Sequence, residues 1–239
     1  MFTLLKAVFY EPLYNALVWL SAVLPGHNLG LAVIILTVAV KAALLPLQRR
    51  VSHTQIRMKE LEPKIKDIKE NHKDNTEQAK KIMELYREHQ VKPFFSILVM
   101  LIQLPILIAL YYVFRDGFDF NHNLIYSFIT APQSVNPLFL GFDLTVKSYL
   151  LAILTGVTQF IHIRLVSPSL PPARTDGVTD IKQDLARSMQ LQMRYFMPVV
   201  MIFVAISLPS AIALYWVSSN LFNILQEKWF HHTHKALKT

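Results

Sequence analysis

Long runs of apolar residues alternate along the chain with polar segments. The first clear run covers residues 28–48, and further runs cover 93–114 and 148–167. A longer run over 193–227 is divided in two by the break Leu208-Pro209-Ser210. These lengths are close to the ~20 residues that a helix needs to cross about 30 Å of bilayer hydrocarbon. The pattern therefore predicts five transmembrane helices, the last two forming a helical hairpin.

Residues 1–27 are mostly apolar but are interrupted by polar side chains. Lys6 and Glu11 lie near one side of a helix, whereas Phe9 and Leu13 lie on the other. This pattern is typical of an amphipathic helix that lies in the membrane interface. A signal peptide is disfavoured, because the start holds one lysine and no small-residue cleavage site follows. A sixth span is the alternative interpretation.

Residues 49–92 differ completely in character from the apolar runs. They hold twelve Lys or Arg and eight Asp or Glu, and apolar positions such as Leu61 and Ile65 recur at helical spacing. A turn-like break at 72–76 divides the segment, and Thr76 can cap the helix that follows. The pattern predicts two charged amphipathic helices folded back as a hairpin.

The charged segments predict the orientation of the chain. Lys and Arg number twelve in the 49–92 hairpin and four over 168–194, but only two in the loop at 115–147. Basic segments stay on the cytoplasmic side of a membrane. The hairpin, a loop at 168–192 and a basic tail at 228–239 are therefore predicted to be cytoplasmic. The 115–147 loop and the N-terminus are predicted to be outside, which agrees with five spans.

The composition supports a membrane protein. The chain of 239 residues is 53% hydrophobic and 17% charged, whereas soluble domains carry about 25% charged residues. The formal net charge of +8 is explained by basic segments that set the topology and face the anionic inner leaflet. A nucleic-acid partner is therefore not needed to explain it. The absence of cysteine excludes disulfides, thiolate metal sites and cysteine nucleophiles.

Lys41 is the most informative residue, because it lies within the first predicted span. A lysine at the centre of a span costs roughly 2.5–3.5 kcal/mol on insertion scales. It is about six residues from the cytoplasmic end, so its long side chain could also reach the headgroups there. Position alone leaves two interpretations equal: a functional lysine, or a lysine whose side chain only extends to the headgroups. Thr37 and Gln48 share its helix face, which favours a functional role.

Other predicted spans carry polar stripes as well. Gln103 is in the middle of the second span, and the third carries Thr155, Thr158, Gln159 and His162. The last span carries polar or amphipathic side chains along one side: Trp216, Ser219, Asn220 and Asn223. A single stripe usually serves helix–helix packing. Four stripes around one lysine favour a shared polar interior that holds water.

Several kinds of chemistry are disfavoured. No acidic residue falls inside a predicted span, and Glu227 is at the very end of the last one, so a proton relay or cation pathway is not expected. No nucleophile–base pair, phosphate-binding loop or carboxylate pair is found, so we expect no enzyme, cofactor or metal. His162 is interpreted as a structural histidine. Four methionines from Met189 to Met201 form a core or lipid-facing stripe, or alternatively a deformable surface for varied apolar segments.

Five motifs occur in a specific order. A charged residue late in the first span is followed by LPLQ, and LEPKIKDIKE lies in the hairpin. The second span contains LIQLPILIALYY, the third contains GVTQF, and the last pair contains LPSAIALYWVSSNLFNILQ. Over roughly residues 5–230, this order and spacing resemble the YidC family of membrane protein insertases.

The resemblance implies an all-α polytopic membrane protein with five transmembrane helices around a hydrophilic groove, an N-terminal interfacial helix and a cytoplasmic helical hairpin. The groove opens to the cytoplasm and the lipid but is closed on the outer side, and no nucleotide is hydrolysed. Lys41 stands where the family usually has arginine. The predicted substrate-binding groove residues are Lys41, Thr37, Gln48, Gln103, Gln159, Tyr215, Trp216, Ser219 and Asn220.

The resemblance also implies partners and a location. Nascent membrane proteins and lipids are the expected partners, and the hairpin and loops offer contacts to the ribosome, the signal recognition machinery and the Sec translocon. We expect a monomeric, multi-pass protein of the bacterial inner membrane. The alternative functions are a small-solute transporter or channel, and a scaffold that only binds partner helices.

Overall fold

The computed structural model describes residues 6–72, 74–92, 95–115, 124–166 and 191–236, without the side chains at 55, 95–100, 102, 103, 115, 193 and 231–236. Helices make up most of this chain. They are α1 (Glu11–Val23), α2 (Leu29–Asn71), α3 (Asn75–Glu88), α4 (Phe95–Arg115), α5 (Tyr149–Val166), α6 (Met197–Ser207) and α7 (Ser210–Ala236). Short π-helical turns (Lys6–Tyr10, Gln192–Phe196), a 3-10 turn (Pro25–His27) and strands β1 (Leu138–Phe139) and β2 (Phe142–Asp143) complete the described elements.

Helix α2 contains both the first predicted span and the first half of the predicted hairpin. It runs from Leu29 to Asn71 through Pro46 and Pro63, so the predicted segment boundary at residue 48 is not a helix end. Asn28 precedes its first turn, and the Asn28 side-chain oxygen accepts a hydrogen bond from the Leu31 N–H at 3.0 Å. Such a cap satisfies one of the N–H groups that a helix start leaves unpaired.

The chain divides into two compact units, and the smaller one, Ala43–Leu104, contains the predicted hairpin. Helices α2 and α3 fold back on each other as predicted: Arg57 donates to the His89 carbonyl at 3.3 Å, and the Lys64 amine lies 3.1 Å from the His89 ring. The prediction that Thr76 caps the second helix is wrong. Asp74 is the cap, and its carboxylate accepts from the Thr76 N–H at 3.0 Å.

The larger unit comprises Met1–Ala42 and Pro105–Thr239. Within it, residues 136–146 join the first turns of α2 and α7; they are here called the outer segment because they belong to the loop predicted to be outside. The Leu29 N–H donates to the carbonyl of Asn136 at 3.0 Å, and the Ser210 N–H donates to the carbonyl of Val146 at 2.9 Å. Helix α5 begins three residues after the segment ends. Three helices therefore start at this segment, and its carbonyls satisfy N–H groups at the helix ends.

Helix α5 packs against both α6 and α7. Toward α6 it presents Gly156, where a Cβ atom would lie 2.3 Å from Cγ1 of Ile202. Only glycine allows the two helices to come this close. Toward α7, the Thr155 hydroxyl donates within its own helix to Leu151 at 2.9 Å and across to the carbonyl of Ala213 at 3.3 Å.

Apolar side chains remain exposed along one face of several helices. On α5 these are Leu150, Ile153, Leu154, Val157 and Ile161, which recur every three or four residues. Within the described residues, two helices are long and apolar enough to cross a membrane, Leu29–Asn71 and Tyr149–Val166, and Leu104–Phe114 and Arg194–Ser207 are shorter apolar helices. An exposed apolar stripe on such helices indicates contact with lipid or another apolar partner.

The remaining sequence predictions have mixed outcomes. The predicted break in the last apolar run is confirmed, because α6 ends at Ser207 and α7 begins at Ser210. Helix α7 continues as far as Ala236, so most of the predicted tail is helical. The predicted loop at 168–192 lies almost entirely outside the described residues. The two short strands of the outer segment were not predicted.

Candidate functional site around Lys41

Lys41 lies inside α2, and its side chain faces the interior of the larger unit. It is 4% exposed, and Thr37, one turn earlier, is 1% exposed. The Thr37 hydroxyl donates to the carbonyl of Val33 at 2.6 Å, which satisfies it within the helix. Ile35 and Val38 lie on another face of the same helix and are exposed. The side chains of Lys41 and Thr37, two of the predicted site residues, therefore face the protein interior.

The Lys41 ammonium has no hydrogen bond or ion pair with any residue that the structure describes. Its charge does act electrostatically on the ring of His162, which lies on α5. Buried lysines are normally paired, because an isolated ammonium is costly to remove from water. A histidine cannot neutralise a lysine. His162, interpreted from the sequence as a structural residue, therefore shares the electrostatic environment of Lys41.

Lys41 and His162 also lie at the same depth. Lys41 is twelve residues beyond the start of α2, about 18 Å at 1.5 Å per residue. His162 is thirteen residues beyond the start of α5, about 20 Å by the same rise. Both helices begin at the outer segment, so the two side chains lie at similar distances from it along their helices.

Helix α7 brings further predicted residues into the larger unit. Tyr215, Ser219 and Asn220 are buried, whereas Gln159 of α5 and Trp216 are half-buried. The Asn220 side-chain amide donates to the Thr158 hydroxyl at 3.2 Å. That hydroxyl donates to the Leu154 carbonyl at 2.8 Å. Asn220 thus holds α7 against α5, the packing role that polar stripes usually have between membrane helices.

Comparison with known proteins identifies the family. The family model described as 60Kd inner membrane protein matches residues 19–237. A protein of Haemophilus influenzae named membrane protein insertase YidC is 32% identical over 215 residues, which are 89% of this chain. The chain belongs to this family, that of the YidC proteins.

Other YidC proteins show the same extent of similarity. Those of Francisella philomiragia and Syntrophobacter fumaroxidans are 32% and 30% identical, over 87% and 92% of this chain. The chain spans only about a third of the length of these curated relatives, 34% and 37%. A solved structure, "Active YidC insertase crystal structure with the first transmembrane domain resolved", matches with a TM-score of 0.60 at 24% identity, over 92% of this chain and 45% of that one. The match shows the fold.

Two of the predicted groove residues, Gln48 and Gln103, belong to the smaller unit. The side-chain oxygen of Gln48 is buried and has no hydrogen bond among the described residues. Gln103 lies within α4, and its side chain is outside the description. Their membership of one groove with Lys41 therefore stays a prediction.

One buried asparagine, on α1, was not predicted from the sequence as a site or packing residue. Asn15 is 1% exposed, and its amide donates to the carbonyls of Glu11 at 2.8 Å and Leu124 at 2.9 Å. Its oxygen accepts from the Tyr126 N–H at 2.8 Å. Asn15 thus ties α1 to the outer loop of this YidC-family chain. The signal in the sequence was an amide inside an apolar stretch, which was interpreted only as an interruption.

The polar side chains near Lys41 can interact with a charged or polar group. Within the described chain, no three His, Cys, Asp or Glu side chains gather as a metal site would require. The groups at this distance from the outer segment include the Lys41 ammonium and the His162 ring, and the Asn220 amide is two to three residues nearer to it. Such groups attract and solvate an anionic or polar segment.

Proposed function

We propose that this chain is a membrane protein insertase and chaperone, which inserts other membrane proteins and helps them fold without nucleotide hydrolysis. One observation carries the proposal: the buried Lys41 has no partner among the described residues, in the first apolar helix of a YidC-family chain. A lysine in hydrocarbon is costly, and ionisable residues there usually mark a pathway for a substrate or ion.

The proposed mechanism is the transient solvation of a polar client segment in a positively charged groove that opens to the cytoplasm and to lipid. A polar segment that enters such a groove avoids much of the desolvation cost of crossing hydrocarbon. Lys41 attracts an acidic residue of the client: two opposite unit charges 4 Å apart attract by about 4 kcal/mol at an effective dielectric constant near 20. The client's acidic group then supplies the counter-charge that the described chain lacks.

A buried polar atom farther along α7, without a hydrogen-bond partner among the described residues, supports a hydrophilic cytoplasmic half of the groove. The side-chain oxygen of Gln226 is buried without a hydrogen bond among the described residues. It lies sixteen residues into α7, about 24 Å from the start of that helix, so it is deeper than Lys41. Buried polar atoms are nearly always paired, which indicates that water or a client group reaches this region.

The outer segment supports a groove that is closed on the outer side. Its Leu144 side chain is fully buried, and so are Ser210 and Ala211 at the start of α7. The Ser210 hydroxyl donates to the Asp143 carbonyl at 2.8 Å, and the Ala211 N–H donates to the Leu144 carbonyl at 3.1 Å. These bonds hold the outer segment against the start of α7, so a client segment is proposed to enter from the other side.

The proposal includes five spans, formed by the first half of α2, by α4 and by α5, α6 and α7. The start of α2, α5 and α7 at one segment supports it, because the first, third and fifth of five spans must begin on the same side. The basic hairpin then lies in the cytoplasm, and the N-terminus lies outside. The location is a bacterial inner membrane, as the family description suggests.

The proposed partners are nascent membrane proteins and the surrounding lipids. Contacts with the ribosome, the signal recognition machinery or the Sec translocon would involve the charged hairpin of α2 and α3, whose outward side chains include Lys66, Glu70 and Lys80. The half-buried Trp216 and the buried Tyr215 beside it are proposed to contact the apolar part of the client.

The test uses the purified protein in vesicles and a client with an acidic segment that must cross the membrane. Lys41→Ala is expected to lower insertion about tenfold, which corresponds to ~1.4 kcal/mol, whereas Lys41→Arg keeps the charge and most of the activity. Lys80→Ala is the matched control, since it removes one exposed positive charge from the hairpin. Equal insertion by the Lys41→Ala variant and the native protein would refute the charge role.

Crosslinking separates an insertase from a scaffold. The chain has no cysteine, so a single cysteine at Thr37 or Trp216 can be joined to a cysteine in a stalled client. We expect crosslinks from both positions to the client's polar segment and its flanks. No crosslink from either position would favour the scaffold, and solute flux through the pure protein would favour a transporter.

A further inference from the structure

The tip of the outer segment combines backbone strain with an exposed leucine. Strands β1 and β2 pair in register, with Phe139 opposite Phe142, so that Leu140 and Gly141 form a two-residue turn. Both turn residues have positive φ, +48° and +83°. Hairpin turns of this kind strongly favour Asn-Gly, because a branched apolar residue is strained in the left-handed region.

Nothing in the described chain compensates for this strain. Leu140 is 82% exposed, and its neighbour Leu138 is 56% exposed on the adjoining strand. In water both the backbone conformation and the exposed apolar side chain are unfavourable, and asparagine would suit the position better. A strained residue that is this exposed in the described chain points to a partner outside it.

The position of the hairpin indicates what that partner is. The Asn28 side chain, at the start of α2, donates to the Leu138 carbonyl at 2.9 Å, and Phe139 lies against Gly30. The hairpin is therefore held at the outer ends of the proposed spans. Exposed apolar residues continue from Val146 through Tyr149 into the exposed stripe of α5.

We propose that Leu140 and Leu138 insert into the outer leaflet of the bilayer and fix the outer ends of α2 and α7 at the boundary of the acyl chains. The half-buried Asp143 and the exposed Lys147 lie only a few residues away, so the insertion is shallow, with these charges among the headgroups. The inference rests on the proposed spans but not on insertase activity. A second copy of the chain or a client segment is the competing occupant.

The test measures lipid contact directly. In the cysteine-free chain, Leu140→Cys carries an environment-sensitive fluorophore, and the protein is placed in vesicles whose lipids bear nitroxide at acyl carbon 5 or 12. The matched control is Ser134→Cys, an exposed position of the same loop. We expect at least threefold stronger quenching at Leu140 than at Ser134, stronger from carbon 5 than from carbon 12, and reduced quenching by aqueous iodide.

Other outcomes overturn the proposal. Equal iodide quenching at both positions would show that the tip is in water. Protection of Leu140 from both iodide and nitroxide would show a protein partner. If this protection is lost when the protein is diluted in lipid, the partner is a second copy of the chain.

A second variant tests whether the leucine matters for lipid contact or for folding. Leu140→Asn suits the turn, so its apparent Tm in detergent is expected to equal or exceed that of the native chain. A fluorophore at Leu138→Cys is expected to lose at least half of its nitroxide quenching in the Leu140→Asn background. Unchanged quenching, or a lowered Tm, would contradict lipid anchoring by Leu140. Neither measurement depends on client insertion, so the result is independent of the Lys41 test.

Discussion

Gly156 offers a direct test of how closely α5 and α6 pack. In Gly156→Ala the added methyl group would lie 2.3 Å from Cγ1 and 2.5 Å from Cδ1 of Ile202, and 3.0 Å from the carbonyl oxygen of Pro198. Ordinary carbon–carbon contacts begin near 3.5 Å. The Ile202 side chain must therefore change rotamer, and the backbone of α6 must move by a few tenths of an ångström.

The magnitude follows from two opposing effects. Overpacking of a tight interface costs about 1–3 kcal/mol, whereas alanine is about 1 kcal/mol better than glycine within a helix. Gly156→Ala is therefore expected to destabilise the native chain by about 1 kcal/mol. In an Ile202→Ala background most of the clash is gone, so the same substitution should be neutral or slightly stabilising.

The assay is a double-mutant cycle of Gly156→Ala and Ile202→Ala, read as apparent Tm in detergent at one fixed scan rate, because unfolding of such chains is often irreversible. The expected coupling is about 1–3 kcal/mol. Val157→Ile is the control, since it adds one carbon at an exposed position of the same helix. An equal effect of Gly156→Ala in both backgrounds would refute the proposed contact.

Two further predictions concern the outer side. Asn15→Ala leaves the Leu124 carbonyl and the Tyr126 N–H without their partner, so a loss of about 1–3 kcal/mol and faster proteolysis of the outer loop are expected; unchanged proteolysis would contradict this. Hydrogen bonds from the Thr145 hydroxyl and N–H lower the pKa of Asp143. The ionised Asp143 carboxylate therefore stabilises the folded chain above its unfolded pKa of 3.8, and this stabilisation is lost as the pH falls further. The apparent Tm of the native chain should fall over this pH range, and that of Asp143→Asn should lack this fall.

Several features of the chain follow from the sequence because they depend on local patterns. The length of an apolar run decides whether a helix can cross the bilayer, and the spacing of apolar residues decides which face is buried. These patterns were enough to predict the charged hairpin, the break before Ser210 and the shared helix face of Thr37 and Lys41. The ordered motifs were enough to suggest the family that the comparisons identify.

Other features required the tertiary structure. The outer hairpin escaped prediction because its strands have two residues each and its turn is Leu140-Gly141, which carries no alternation and no Asn-Gly signal. His162 was interpreted as structural because it is a lone histidine near a helix end. Its electrostatic interaction with Lys41 depends on how α2 and α5 are placed, and the two residues are far apart in the sequence.

The sequence by itself therefore determined the apolar helices, the charged hairpin and a lysine within the first apolar helix, where its burial costs free energy. Only the tertiary structure decided what surrounds that lysine, which polar stripe joins α5 to α7 through Thr158 and Asn220, and which segment gathers three helix starts. The physical reason is that periodicity and hydropathy are properties of neighbouring residues. The register between helices is instead set by contacts such as Gly156 against Ile202, which sequence spacing does not encode.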